Sequence, residues 1–201
     1  KFSDVFLGAH YKFKTGIFTF TPGVTLHNYT VSSEQLGTKT SSNEFKLLPD
    51  LFAIAQFKQS ESLRLNYQMT ADYTDVNNFA EGYVFNNYNR MFRGNRDIEN
   101  AIFHTASLNY FNFNMFNFTN LNGGVSYTRR VDAIKSQTAI NSINQASSPI
   151  NSNFVDEVLS ANGRFQKTFR KWKANLSGNV SYSELNNIVN NQPALSQNFT
   201  Q

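Results

Sequence analysis

Three histidines, His10, His27 and His104, are the first side chains to question for chemistry, because imidazole serves both as metal ligand and as general base. They stand far apart, each within an extended segment, and the chain has no cysteine to complete a metal set. Each is read as a solitary side chain facing a lumen or a loop. Asp72 and Asp75 are close enough in sequence for an acid/base pair. Asp72, however, belongs to the polar face of a strand, so a solvated strand end is the expected role. Gly123-Gly124 and the other glycines lack the spacing of a P-loop, a dinucleotide fingerprint or a nucleophile elbow. No enzyme and no cofactor is expected. The stretch from Asp75 to Asn100 is richer. Tyr83, Tyr88, Arg90, Arg93 and Arg96 offer stacking surfaces and anion donors among many Asn residues. These five form the candidate ligand-binding set, for a solute or for a partner protein at the long loops.

The elements that would carry such a loop are strands. From Leu63 to Tyr73, Leu63, Leu65, Tyr67, Met69, Ala71 and Tyr73 alternate without exception with Arg64, Asn66, Gln68, Thr70 and Asp72. Successive side chains of a strand point to opposite faces, so this segment has one apolar and one polar face. Aromatics make up 15% of the 201 residues, 20 of them Phe, while mean hydropathy is −0.45. A polar average combined with aromatic wealth suits strands that show one face to lipid and the other to water. The net charge of +4 is spread along the chain, which speaks for solvated faces and against a nucleic-acid footprint. Lys1-Phe2-Ser3-Asp4 leads straight into strand-like sequence, with no signal peptide in this segment. No apolar run approaches the ~18 residues of a spanning helix.

In order, eight strands are predicted. The first covers Val5 to Lys14 with one slip at Phe6, and turns at Thr15-Gly16. The second runs from Phe18 to His27, interrupted by a bulge or bend at Pro22-Gly23. A loop is expected over 31–43. The third, Phe45 to Lys58, is apolar on both faces at Leu47-Leu48 and Phe52–Ala55, as if both were covered. After a turn at Gln59–Ser62 and the fourth strand comes the long loop 75–100. Thr105–Tyr110 and the ladder Phe111, Phe113, Phe116 make the fifth, turning at Asn117–Asn120. The sixth is Leu121–Val131, followed by a loop over 136–152. The seventh, Leu159–Gln166, turns at Arg170-Lys171 into the eighth, Trp172–Ser183. The end, 186–201, reads as Asn/Gln-rich loop.

Short turns thus alternate with long loops, and each strand approaches the ~9–11 residues a tilted strand needs to cross a bilayer. Tyr11, Phe13, Phe57, Tyr73, Phe111, Phe113, Phe116 and Trp172 lie near strand ends, as interfacial girdles would. The expected fold is all-β, a transmembrane antiparallel up-and-down β-barrel in a bacterial outer membrane, with lipid and lipopolysaccharide as surroundings. In such a source the Asn-x-Ser/Thr triplets at Asn28, Asn117, Asn175 and Asn198 are chance products of composition. Arg64, Asp72, Arg130 and Arg164 would form a network inside a closed barrel. The alternative is a soluble β-sandwich, an adhesin or glycan-binding module.

Leu47-Leu48-Pro49-Asp50-Leu51, Leu63-Arg64-Leu65-Asn66-Tyr67 and Gly94-Asn95-Arg96-Asp97-Ile98-Glu99-Asn100, leading to His104 and Ser107-Leu108-Asn109-Tyr110, come in a telling order. Over residues 45 to 130 the chain resembles the barrel half of TonB-dependent-receptor-like outer-membrane proteins of the Bacteroidota. Gly94, Asn95, Ile98 and Glu99 match that family's segment; its two prolines are absent. The resemblance implies a barrel of about 22 strands with an N-terminal plug, importing a nutrient with energy passed on by TonB. Residues 1–201 would then be a barrel segment without plug, about eight strands of a larger wall. The alternative within this family is a scaffold, secretion or assembly component without transport.

Overall fold

The computed structural model describes residues 1–35, 37–72, 76–190 and 192–201, except the side chains of Thr38, Thr40 and Val76. The strands are β1 (Phe2–His10), β2 (Phe13–Thr15), β3 (Phe18–Gln35), β4 (Thr38–Lys58), β5 (Glu61–Asp72), β6 (Tyr83–Asn87), β7 (Arg90–Arg93), β8 (Ala101–Asn114), β9 (Thr119–Val131), β10 (Ile134–Asn141), β11 (Asn144–Asn151), β12 (Asp156–Phe169), β13 (Trp172–Val189) and β14 (Gln192–Thr200). A 3-10 turn covers Val76–Phe79. All fourteen strands join one sheet. Its wall is a meander, β1/β2–β3–β4–β5–β8–β9–β12–β13–β14, antiparallel throughout.

The register divides the wall into two faces. Leu65 opposes Leu108, Leu108 opposes Val125, Val125 opposes Ala161 and Ala161 opposes Val180. One residue along, Asn66, Ser107, Ser126, Ser160 and Ser181 form the corresponding polar row. The sheet is open, and its accessible surface is 13714 Å². A compact monomer of this mass would expose roughly 9,600 Å². The excess includes the large side chains of one face, Leu7, Leu47, Leu121, Leu159 and Leu176 among them. So wide an apolar surface requires a non-aqueous neighbour.

An aromatic row marks one edge of that surface. Tyr67, Tyr127, Tyr182 and Phe199 lie level across the register. The next outward row turns polar beyond Met69, with His104, Arg129, Glu157 and Glu184. Trp172 stands near the other edge, ten residues from Tyr182. Ten residues span about 33 Å of strand, or about 25 Å of height at a tilt near 40°, the thickness of an outer-membrane apolar band.

Several expectations are corrected. Residues 31–43 do not form a loop: β3 and β4 continue as a paired ladder to Gln35 and Thr38. Their Ser- and Thr-rich ends look like loop because neither face meets lipid there. The loop expected over 136–152 is the hairpin β10–β11. The tail over 186–201 extends β13 and adds β14, a ninth strand of the wall. Pro22-Gly23 makes no bulge, since the β3–β4 register runs through it unbroken. Pro22 instead divides β1 from β2: it lacks an N–H, and of its exchange with Tyr11 only the bond from Tyr11 N to Pro22 O remains, at 3.0 Å. Phe111 and Phe113 share a face with Asn122 and Asn120, so they belong to the polar face and not to a girdle. The slip at Phe6 has a partner, because its ring stacks on His27 at 5.3 Å on the polar face. Tyr73 lies outside the described residues.

Candidate functional site

Both long connections on the far side of the wall fold over one end of the polar face. Residues 76–100 lie against β3 and β4. Glu81 N donates to Gln35 Oε1 at 3.0 Å, Gln35 Nε2 donates to Phe79 O at 3.2 Å, and Asn100 Nδ2 donates to Glu44 Oε2 at 2.6 Å. Ile98 and Tyr29 are buried there. Gly94 N and Asn95 N donate to Ala80 O and Asn78 O, closing the segment on itself. The second connection, β10–β11, reaches over the ends of β9, β12 and β13. Lys135 Nζ lies 2.5 Å from Asp156 Oδ1 and also bonds Asn186 O, and Asp156 accepts Asn186 N at 2.8 Å. The two connections then join. β7 pairs parallel with β11, and β10 pairs parallel with β13, so a smaller sheet β10–β11–β7–β6 branches from the wall.

Among the described residues these connections line three cavities, one of them small and set between Tyr29 and Ser42 of the wall and Phe79 and Ile98 of the roof. Another, about 410 Å³, lies between the polar face and the start of β10. Its walls are Asp72, Phe103, Arg130, Asp156, Leu185 and Asn187, with Ala133 to Ser136 above. The Arg130 guanidinium lies 5.0 Å from the centre of the Phe103 ring. Lys135 and Asp156 neutralise each other, nearly buried. The third, about 280 Å³, lies on one face of the branch sheet, between Tyr83, Met91 and Arg93 on one side and Gln137, Ala139, Ala146 and Ser148 on the other.

The five candidate binding residues are therefore divided. Tyr83 and Arg93 come together, the guanidinium 5.5 Å from the ring centre, at the cavity of the branch sheet. Tyr88 sits at the β6–β7 tip, 90% exposed. Arg90 is exposed at the start of β7, and its backbone pairs with Gln145. Arg96 Nε lies 2.8 Å from Glu81 Oε1, a tie within the roof. The histidines are not solitary. His10 Nε2 lies 3.0 Å from Asp50 Oδ2 across the bare backbone of Gly23. His27 Nδ1 lies 3.1 Å from Asp4 Oδ1, and His104 Nδ1 lies 2.9 Å from the Tyr67 hydroxyl. Among the described residues no group of three or more His, Asp or Glu is placed to hold a metal. Asp75 lies outside the described residues. Arg64, Asp72, Arg130 and Arg164 do not form a network, since no ion pair among the described residues joins them. Arg64 faces Asn109, Asn122 and Asn162 in a separate hollow of about 330 Å³. What the sequence left hidden is the meeting of Asp72, Phe103, Arg130 and Lys135 at one cavity. Its only signal was that Asp72, Phe103 and Arg130 end strands on one face.

A family profile described as the outer membrane protein beta-barrel family matches residues 7–201. No curated protein matches the chain. Among solved structures, the chain is similar to the FrpB iron transporter from Neisseria meningitidis (F3-3 variant), with a TM-score of 0.57 at 13% identity. The alignment covers 98% of this chain and 26% of that one, so the chain spans about a quarter of the transporter's length. At this identity the likeness is one of fold. The two-faced meander, its apolar band and the profile match over nearly every residue agree: the chain belongs to the outer membrane β-barrel family and is a wall of strands in the bacterial outer membrane.

Proposed function

We propose that this wall belongs to an importer of the TonB-dependent type, which takes a solute from outside the cell and passes it along the polar face. The observation that carries the reading is the roof: both long connections fold over the polar face and line a cavity of about 410 Å³ against it. A barrel that only anchored or spaced would have no need for loops bonded over its lumen. The similarity in fold to an iron transporter supports the same direction. In this reading the chain works by binding and passage, without bond chemistry, and a plug elsewhere in the protein contacts TonB. A scaffold or secretion role is the second reading, favoured by the branch sheet β10–β11–β7–β6, whose tip presents Tyr88 and Phe85 to the outside. The test is solute accumulation by cells carrying the full protein, with and without a working TonB. Accumulation that needs both supports import. Accumulation that ignores TonB, or none at all, supports the second reading.

A further inference from the structure

Charge is divided unevenly along the polar face. The uncharged row that runs from Thr21 through Asn66, Ser126 and Ser160 to Ser181 splits that face into a roof half and a turn half. In the roof half the carboxylates Asp4, Glu44, Asp50, Asp72 and Asp156 are mixed with basic groups. Asp4 lies 3.1 Å from His27 and Asp50 lies 3.0 Å from His10, while Glu44 pairs with Lys46 and Asp156 with Lys135. Arg130 stands opposite Asp156 in the β9–β12 ladder. The turn half differs. It carries Lys14, Arg64, Arg164 and Lys173, and no Asp or Glu among the described residues. None of these four side chains has an ion pair or a hydrogen bond among the described residues.

The consequence is electrostatic. Charges of one sign on a wet wall backed by lipid focus their field into the passage and concentrate the opposite ion there. Lys and Arg lining a pore select for anions in this way. The turn half also offers a seat. Arg64 borders the hollow of about 330 Å³, together with Phe111 and Asn122. Arg164 opposes Asn122 in the β9–β12 ladder, on the far side of the same hollow. Asn109 and Asn162 reach across Gly124, where a Cβ would lie 2.5 Å from Asn109 Oδ1 and 3.2 Å from Asn162 Oδ1. Asparagine amides donate hydrogen bonds without bringing a charge of their own. Phe111, 44% exposed, adds a bare ring to the hollow. Sign of charge, not the spacing of two charges, is what this surface discriminates.

We propose that the turn half of the polar face is an anion seat, and that the hollow at Arg64 takes a solute bearing carboxylate, phosphate or sulfate oxygens. Arg64 holds the oxyanion with two parallel bonds, Asn122 donates beside it, and the body of the solute lies against Phe111. Lys14, Arg164 and Lys173 supply the field that draws the anion in. The proposal names the solute class for the import reading and rests on it for physiological meaning. Binding is measured without transport, so the two fail separately.

The experiment is calorimetric binding of trimesate, a benzene ring with three carboxylates, to the full protein in an uncharged detergent. Its neutral triamide and the tris-ammonium compound on the same ring serve as comparisons. Trimesate should bind about tenfold tighter than either, the worth of a charged hydrogen bond, and added salt should weaken it. Arg64→Gln should remove that advantage, and Arg164→Gln should reduce it. Arg129→Gln, which takes the same charge from the outer face, should leave it unchanged. Heat-modifiable migration of each variant establishes that the barrel has folded. Equal binding of the three probes overturns the proposal, as do equal losses in Arg64→Gln and Arg129→Gln, or no binding to a folded barrel. Absent trimesate binding with a lowered Tm in Arg64→Gln would mean that carboxylates of the protein itself occupy the seat, which overturns it too. Loss of TonB-dependent accumulation with trimesate binding intact would count against import alone.

Discussion

Gly94 shows how one residue holds a loop in place. A Cβ at this position would come within 2.5 Å of both the N and the O of Ala80, which are backbone atoms and cannot swing aside. The same close approach carries the bonds from Gly94 N to Ala80 O and from Asn95 N to Asn78 O. Gly94→Ala should therefore loosen residues 76–100 at a cost of about 1–3 kcal/mol, as overpacking does. Limited proteolysis should cut this segment faster in the variant while the barrel keeps its heat-modifiable migration; unchanged cleavage would show that the backbone contact does not hold the loop. Gly94 was legible only as part of a family-like segment. Gly23 was misread outright, because a glycine inside a strand signals either a bulge or a close approach, and the sequence alone does not choose. Here it is the approach, with the His10–Asp50 pair lying across it.

At the scale of the element, alternation was the dependable signal wherever one face meets lipid. β5 reads correctly because Leu63, Leu65, Tyr67 and Met69 have no other place to go. Charge on that face should cost ~2–4 kcal/mol near the midplane. Leu176→Arg, about midway between Trp172 and Tyr182, should thus reduce the stability of the protein folded in lipid vesicles, measured by urea titration, whereas Ser177→Arg should change it little. Equal effects would contradict the assignment of the faces. The signal fails beyond the membrane, where both faces are wet and Ser and Thr occupy strand and loop alike; so positions 31–35 of β3 and 38–43 of β4, most of β10, and all of β11 and β14 read as loop in the sequence. The hairpin β10–β11 is anchored by Lys135 and Asp156, both nearly buried. Removing one partner strands the other charge, which costs about 3–5 kcal/mol in buried pairs. Asp156→Ala should release the hairpin, with faster amide exchange in β10 and β11 but not in β9; protection that persists in β10 would place the anchor elsewhere.

For the whole molecule, the meander was legible because its neighbours are consecutive in sequence and its short turns are marked, as at Gly16, with φ near 56°, and at Arg170, with φ near 46°. The branch sheet was not, because β11–β7 and β10–β13 are parallel pairings between segments some 50 residues apart, and no local pattern announces them. The candidate site suffers the same limit: its residues come from β5, β8, β9, β10, β12 and β13. The central claim is that the odd positions of β5 face lipid and the even positions face a wet interior. The chain has no cysteine, so single cysteines placed from position 63 to position 70 in the full protein, reconstituted in vesicles, can each carry a fluorophore. Quenching by a lipid-phase quencher should be strong at 63, 65 and 67, fall off at 69 beyond the aromatic row, and be weak at 64, 66, 68 and 70, with a water-soluble quencher giving the reverse. A two-residue period in opposite phases is the predicted result; quenching by water at every position, or a period other than two, would contradict it.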